Sequence, residues 1–293
     1  MTRKVRVQVE GRELVLTNLG KTLYPDAGFT KAEVIDYYTR IAPALLPHLR
    51  GRPLTVKRYP DGVDGQFFFE KNVPGHTPDW VRTATLPAPG SSKGREKIEF
   101  AIVDDLATLV YYANLAALEL HVPMWRVSEE GDPLPPDTLV FDLDPGAPAT
   151  IVECCEVALL LREVLKEDGR EGSPKTSGSK GMQLYVPWNG DEDTNAYARE
   201  LARRLEREHT FVTSVMARRE RPGKVFIDWS QNNPAKTTVA PYSLRAGSVP
   251  TVSTPLSWAE VDACTDPGQL VYTARDVLDR VERHGDLFRA STT

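Results

Sequence analysis

The sequence predicts an α+β fold of two closely packed lobes with mixed or antiparallel sheets. Three observations predict it. Short alternating apolar runs and amphipathic helical stretches follow one another in mixed order. The chain has 293 residues, enough for one large domain or two lobes. No internal repeat or flexible linker breaks it, so the lobes are expected to form one domain.

The elements follow from local pattern. "VRVQVEGRELVLTN" reads as a hairpin, two alternating runs around Gly11. "TKAE" gives Thr30 and Glu33 as a capping box. Val34, Ile35, Tyr38, Ile41, Ala42 and Leu45 then recur at helical spacing. "RPLTVKRYP" and "GQFFFEKNVP" read as strands, residues 87–96 as a polar loop, and 105–118 as a helix. "TLVFDLDP" is a strand, 149–167 an amphipathic helix ending at Gly169, and "PKTSGSKGMQLYVPW" two strands around a glycine turn. Residues 192–208 are a helix, "GKVFIDWSQN" a strand running into a loop, and 274–284 a last helix.

Composition excludes several classes. Hydrophobic content of 41% and charged content of 26% are those of a soluble globular protein. No apolar run is long enough to span a bilayer, so no membrane partner is expected. The first residues lack an apolar signal core, which predicts a cytoplasmic protein. Cys154, Cys155 and Cys264 form no CxxC pair, which argues against a zinc site or disulfide framework. The net charge of −5 hides a polarity. Residues 1–60 hold eleven Lys/Arg against five Asp/Glu, and residues 127–168 hold two against eleven. That suits a grip on a polyanion at one place and metal ions at another.

Asp142 and Asp144 alternate with Phe141 and Leu143, so both acids share one strand face with Val140. Like charges about 7 Å apart repel, and a divalent cation between them removes the penalty. Oxygen donors favour Mg²⁺ or Mn²⁺. Alone, the pair also fits two solvated acids at a strand end, or a structural Ca²⁺. Asp228 ends a second apolar strand, and three carboxylates on two strands suit two-metal phosphoryl transfer. Gly178 and Gly181 let backbone N–H groups turn toward an anion, while Ser177, Ser179 and Lys180 add donors and charge. Taken alone the segment is an ordinary hairpin turn. It is no P-loop, because it lacks the spacing and leads into a strand. Gln231, Lys236 and Arg245 could neutralise phosphates or fix sugar and base. K-x-D-G at Lys166–Gly169 resembles a ligase lysine motif, but it closes a helix and Glu171 stands where a basic residue is wanted.

"FDLDPG", "KTSGSKG", "VFIDWSQN", "KTTVAPYSLR" and "LELHVPMW" together resemble the polymerase domain of bacterial ligase D, in the archaeo-eukaryotic primase superfamily. The resemblance runs from about Leu14 to Leu287. It implies a primase-type catalytic fold and one catalytic domain over 1–293. About 1–135 would grip DNA, about 136–250 would hold metal and nucleotide, and 251–293 would be a helical tail. It implies a nucleotidyltransferase that adds nucleotides, ribonucleotides preferred, to a DNA 3′ end at gaps or breaks, using Mn²⁺ or Mg²⁺. Asp142, Asp144 and Asp228 would be the metal ligands, and Ser177, Ser179, Lys180 and Arg245 would hold the triphosphate. Lys57, His121 and Gln231 would line the nucleotide pocket. Asn18, Lys21 and Lys31 would bind the 5′-phosphate across a gap, Lys31 at a helix start that already favours anions. Phe68 and Phe69 would stack on template bases; by strand alternation, core packing accounts for Phe67 and Phe69. The expected partners are gapped or broken DNA, NTP or dNTP, a separate ligase chain, and Ku for end joining.

Gln183 stands where the family usually has histidine. Glutamine still donates a hydrogen bond but cannot become cationic. Two rival classes remain open: a non-catalytic module that binds or bridges DNA ends, toward which Gln183 leans, and a two-metal nuclease.

Overall fold

The computed structural model describes residues 4–88 and 94–288. A five-stranded sheet carries the acids. Its order is Ser173–Thr176, Met182–Pro187, Thr138–Pro145, Val225–Asp228, Val212–Thr213. All pairs are antiparallel except the last. Leu139, Phe141 and Leu143 pack into one core with the helices Ile151–Glu167 and Thr194–Glu208, whereas Val140 joins a second core. Burying each such side chain contributes roughly 1.5–3 kcal/mol. The alternation therefore holds the strand in one register and leaves Asp142 and Asp144 on the face away from these helices.

A four-stranded antiparallel sheet faces them, in the order Thr238–Val239, Ala117–Val122, Thr55–Arg58, Phe68–Glu70. The helices Lys31–Leu49 and Leu106–Asn114 share the second core with it. Thr30 and Glu33 form the expected capping box. Glu10 and Gly11, both at positive φ, turn the hairpin Lys4–Val9/Arg12–Thr17. The helix ending at Glu167 closes in a Schellman turn: Gly169 has φ +68, its N–H donates to Lys166 O, and Arg170 N–H donates to Leu165 O.

The chain's last described residues return to the first helix. Ala274–His284 packs on Lys31–Leu49, and Phe288 is fully buried against the rings of His48 and Tyr185. Asp286 accepts from Tyr242 Oη at 2.6 Å and contacts His48 Nε2 at 2.9 Å. Residues 251–288 are thus divided between the two cores.

Two expectations need correction, and a third lies partly outside the described residues. The helix expected over 105–118 stops at Asn114. Ala116 takes φ +57, and a buried strand begins at Ala117. Residues 87–96 are flanked by the antiparallel strands Thr83–Pro87 and Lys97–Ala101, and 89–93 lie outside the described residues. Phe67 and Phe69 do not pack in the core: Phe67, Phe68 and Phe69 are 52%, 43% and 54% exposed. The strand holding Phe68 and Phe69 is a sheet edge three residues long, too short to be covered on either face. No helix among the described residues is long and apolar enough to cross a membrane. The three cysteines are buried and free.

Candidate active site

Asp142 lies directly across the antiparallel ladder from Asp228, with Asp144 two residues along the same strand. Directly paired residues share a sheet face, so all three carboxylates stand on that face. The crowding registers in their protonation. Asp142 is pushed up to about 7 by burial and then by Asp144, with Asp228 adding and the Gln183 amide opposing. Asp144 is raised by burial and by Asp228. Such a set of hard, mutually repelling oxygens suits a divalent cation such as Mg²⁺ or Mn²⁺. Among the described residues, no three His, Cys, Asp or Glu side chains are already gathered as a metal cage. Asp228 shows why. One carboxylate oxygen accepts from the backbone and hydroxyl of Ser230, and the other from Gln231 Nε2 at 2.8 Å.

The segment Ser177–Gly181 closes the same cavity, of about 260 Å³, which Asp142, Asp144, Gln183 and Gln231 also line. Its backbone differs from expectation. The N–H groups of Ser179 and Gly181 turn inward to Ser177 Oγ, at 3.2 and 3.3 Å. The Ser177 hydroxyl accepts both and keeps its own proton to donate. The glycines serve close approach. A Cβ at Gly181 would stand 2.1 Å from Leu143 O, and one at Gly178 would stand 2.6 Å from Arg245 Cγ. Ser179 and Lys180 are exposed and line the cavity.

Glu119 organises the opposite wall. It is almost fully buried, with His121 Nε2 at 3.0 Å, Arg245 Nη1 at 3.1 Å and Lys57 Nζ at 3.7 Å. Burial works against its charge, but His121, Arg245 and Lys57 outweigh it and hold the carboxyl at about 2. Burial pushes the His121 imidazole down, against the pull of Glu119. A neutral ring donating Nε2–H to Glu119 keeps Nδ1 as an acceptor. His121 and Arg245 line the cavity. Lys57 Nζ sits 4.0 Å from the Phe67 ring centre, and Phe69 lies edge-on to His121 at 6.1 Å. Lys236 donates to Ser230, the residue that braces Asp228.

Asn18, Lys21 and Lys31 are brought together by backbone pairing. Lys21 N donates to Asn18 O at 2.9 Å, and Lys31 N to Lys21 O at 2.8 Å. Lys31 is buried rather than solvated, its ammonium 3.3 Å from Thr17 Oγ1. Its pKa falls to about 8 through burial, then through Lys21 and Arg58. Lys21 pairs with Asp61 at 2.7 Å. Phe68 lies on the other side of its strand, under the Arg58 guanidinium.

Three residues escaped sequence reasoning. Glu119 stands two before His121 on one strand, so its shared face was readable. Asn232 braces Val140 at both its N–H and C=O, at 2.9 and 2.8 Å. Lys175 reads as a strand lysine, yet it is wholly buried behind Gln183.

Comparison with known proteins gives a consistent result. Residues 30–288 match the family described as LigD, primase-polymerase domain. The chain is 43% identical over 276 residues to the multifunctional non-homologous end joining protein LigD of Mycolicibacterium smegmatis, covering 93% of this chain and 35% of that protein. It is 31% identical over 278 residues to the bifunctional non-homologous end joining protein LigD of Bacillus subtilis, covering 93% and 43%. The chain therefore spans less than half the length of these relatives. A solved polymerase domain from Mycobacterium tuberculosis ligase D, in complex with DNA, superposes with a TM-score of 0.87 at 42% identity, covering 94% of this chain and 96% of that one. With its α+β architecture and its motifs in agreement, the chain belongs to the LigD primase-polymerase domain family.

Proposed function

We propose that the chain is a DNA repair primase-polymerase, a nucleotidyltransferase working at short gaps or broken ends. The observation that carries this reading is the pairing of Asp142 with Asp228 beside Asp144, with Asp142 and Asp144 lining a cavity that Ser177, Ser179, Lys180 and Arg245 also border. Asp142, Asp144 and Asp228 would hold Mn²⁺ or Mg²⁺, which when bound supplies Lewis acidity to the attacking 3′-hydroxyl and the leaving pyrophosphate. Ser177, Ser179, Lys180 and Arg245 would bind the triphosphate of an NTP or dNTP, ribonucleotides preferred. Lys57, His121, Gln183, Gln231 and Lys236 would orient the rest of the nucleotide and the acids. Asn18, Lys21 and Lys31 would bind the downstream 5′-phosphate, and Phe68 and Phe69 would stack on template bases. All of 1–293 acts as one catalytic domain, residues before about 135 gripping DNA. A ligase on a separate chain would seal the product, and Ku would join it at double-strand ends in the cytoplasm.

Primer extension on a gapped, 5′-phosphorylated template with Mn²⁺ tests the reading. Wild type should incorporate nucleotides. Asp142→Ala should lose incorporation and keep DNA affinity. A wild type that binds DNA ends but never extends them would instead be a binding module. Loss of labelled DNA without added nucleotide would indicate a nuclease.

A further inference from the structure

Lys175, on the strand Ser173–Thr176, has no exposure at all. Its ammonium donates to three oxygens: Gln183 Oε1 at 2.5 Å, Ser253 Oγ at 2.7 Å and Val239 O at 3.0 Å. Three donors meet three acceptors, so its hydrogen-bonding capacity is filled. Burial pushes the pKa of this lysine well down, and the charge of Asp142, on the far side of the Gln183 amide, pulls the other way. Its three partners are all oxygens, and the Ser253 hydroxyl gives its own proton to Thr176 O, so the site is built for the charged amine.

Gln183 is buried too, and its Nε2 donates to Asp142 Oδ1 at 3.0 Å. A primary amide fits such a slot either way round, because its oxygen and nitrogen are nearly the same size. An ammonium has no lone pair, so only Oε1 can face Lys175. The NH₂ group is then directed at Asp142. Remove the ammonium and only the Asp142 carboxylate is left to hold the amide's orientation, so the NH₂ group is less firmly directed at it.

We propose that Lys175 is a positioning residue that acts through the Gln183 amide to orient the Asp142 carboxylate. The inference rests on the polymerase reading for what Asp142 does. A histidine at position 183 could set an N–H toward Asp142 by choice of tautomer, without turning its side chain. A glutamine relies on a second residue to hold its orientation, so Lys175 and Gln183 operate as a pair. Lys175 also ties the strand of Val239 to the segment of Ser253, so a purely structural role is the competing account.

The test measures Mn²⁺ affinity of the full chain by electron paramagnetic resonance, beside single-nucleotide incorporation on gapped, 5′-phosphorylated DNA. The variants are K175M, Q183M and the double variant K175M/Q183H. Both single variants should weaken Mn²⁺ binding and lower kcat, each about tenfold, as loss of a residue supporting a metal ligand does. KM for the nucleotide should move less than kcat. The double variant should recover most of both losses although it still lacks the lysine. A purely structural Lys175 leaves the double variant as impaired as K175M, and that result overturns the proposal. So does a Mn²⁺ affinity unmoved in both single variants. Should K175M fail to fold, the double variant decides: a Mn²⁺ affinity near wild type supports the proposal, and a tenfold loss overturns it. Failure of the polymerase reading looks different, because wild type would then incorporate nothing while the Mn²⁺ shifts persist.

Discussion

Lys31 is 5% exposed in the first turn of its helix, with an ammonium that burial brings down to about 8. Below that pH the amine is charged, and a charged amine at a helix start lacks a counterion until an anion arrives. The folded pKa lies below the unfolded value, so the unfolded chain binds the extra proton between about 8 and 10.5. This residue's contribution to stability therefore rises with pH across that window. The grip on a phosphate proposed for it moves the opposite way. The ratio of DNA affinities with and without a 5′-phosphate should fall as pH rises from about 8, with the midpoint shifted upward by the bound phosphate. In Lys31→Ala the ratio should be small and flat over the same range, as fluorescence anisotropy on gapped DNA would register. An unchanged ratio in that variant would remove Lys31 from the phosphate site.

The turn Ser177–Gly181 makes its argument as an element. Gly181 stands where a Cβ would press into Leu143 O, the carbonyl between Asp142 and Asp144. That oxygen is part of the acidic strand itself, so it can yield only by moving the acids. Gly181→Ala should destabilise the fold by about 1–3 kcal/mol and lower Tm by several degrees. Incorporation should fall further than this stability loss accounts for, when assayed well below the new Tm. At Gly169 a wider margin is expected. No atom lies within 4 Å of a Cβ there, so Gly169→Ala should carry only backbone strain and leave incorporation intact.

For the whole molecule, the closing of the chain on itself matters most. Phe288 fills a space between His48 and Tyr185, and Tyr185 belongs to the strand that carries Gln183. The last described residue thereby packs against both the first long helix and the acidic sheet. Phe288→Ala should cost about 3–5 kcal/mol, measured by denaturant unfolding, as for other large buried rings. Charge is the other property of this scale. For a molecule of net charge −5, the proposed grip on DNA must run through a local patch. Its DNA affinity should fall steeply with salt, and the log–log slope should shrink by about one for each of Lys21 and Lys31 replaced by Ala.

Sequence by itself determined what depends on neighbours along the chain. The alternation through Asp142 and Asp144, the capping box at Thr30 and the Gly169 helix end are all local signals, and each stands in the structure as read. The tertiary structure decided what depends on burial and on partners distant in sequence. It buried Lys31 and Lys175, gathered His121, Arg245 and Lys57 around Glu119, and left Phe67 and Phe69 in the open. The helix that ends at Asn114 belongs with these, because Asn114 is held by Thr17 and Val15 of the first hairpin. Periodicity reports which face a side chain takes, but desolvation and hydrogen-bond partners are set by whatever the rest of the chain brings to that face.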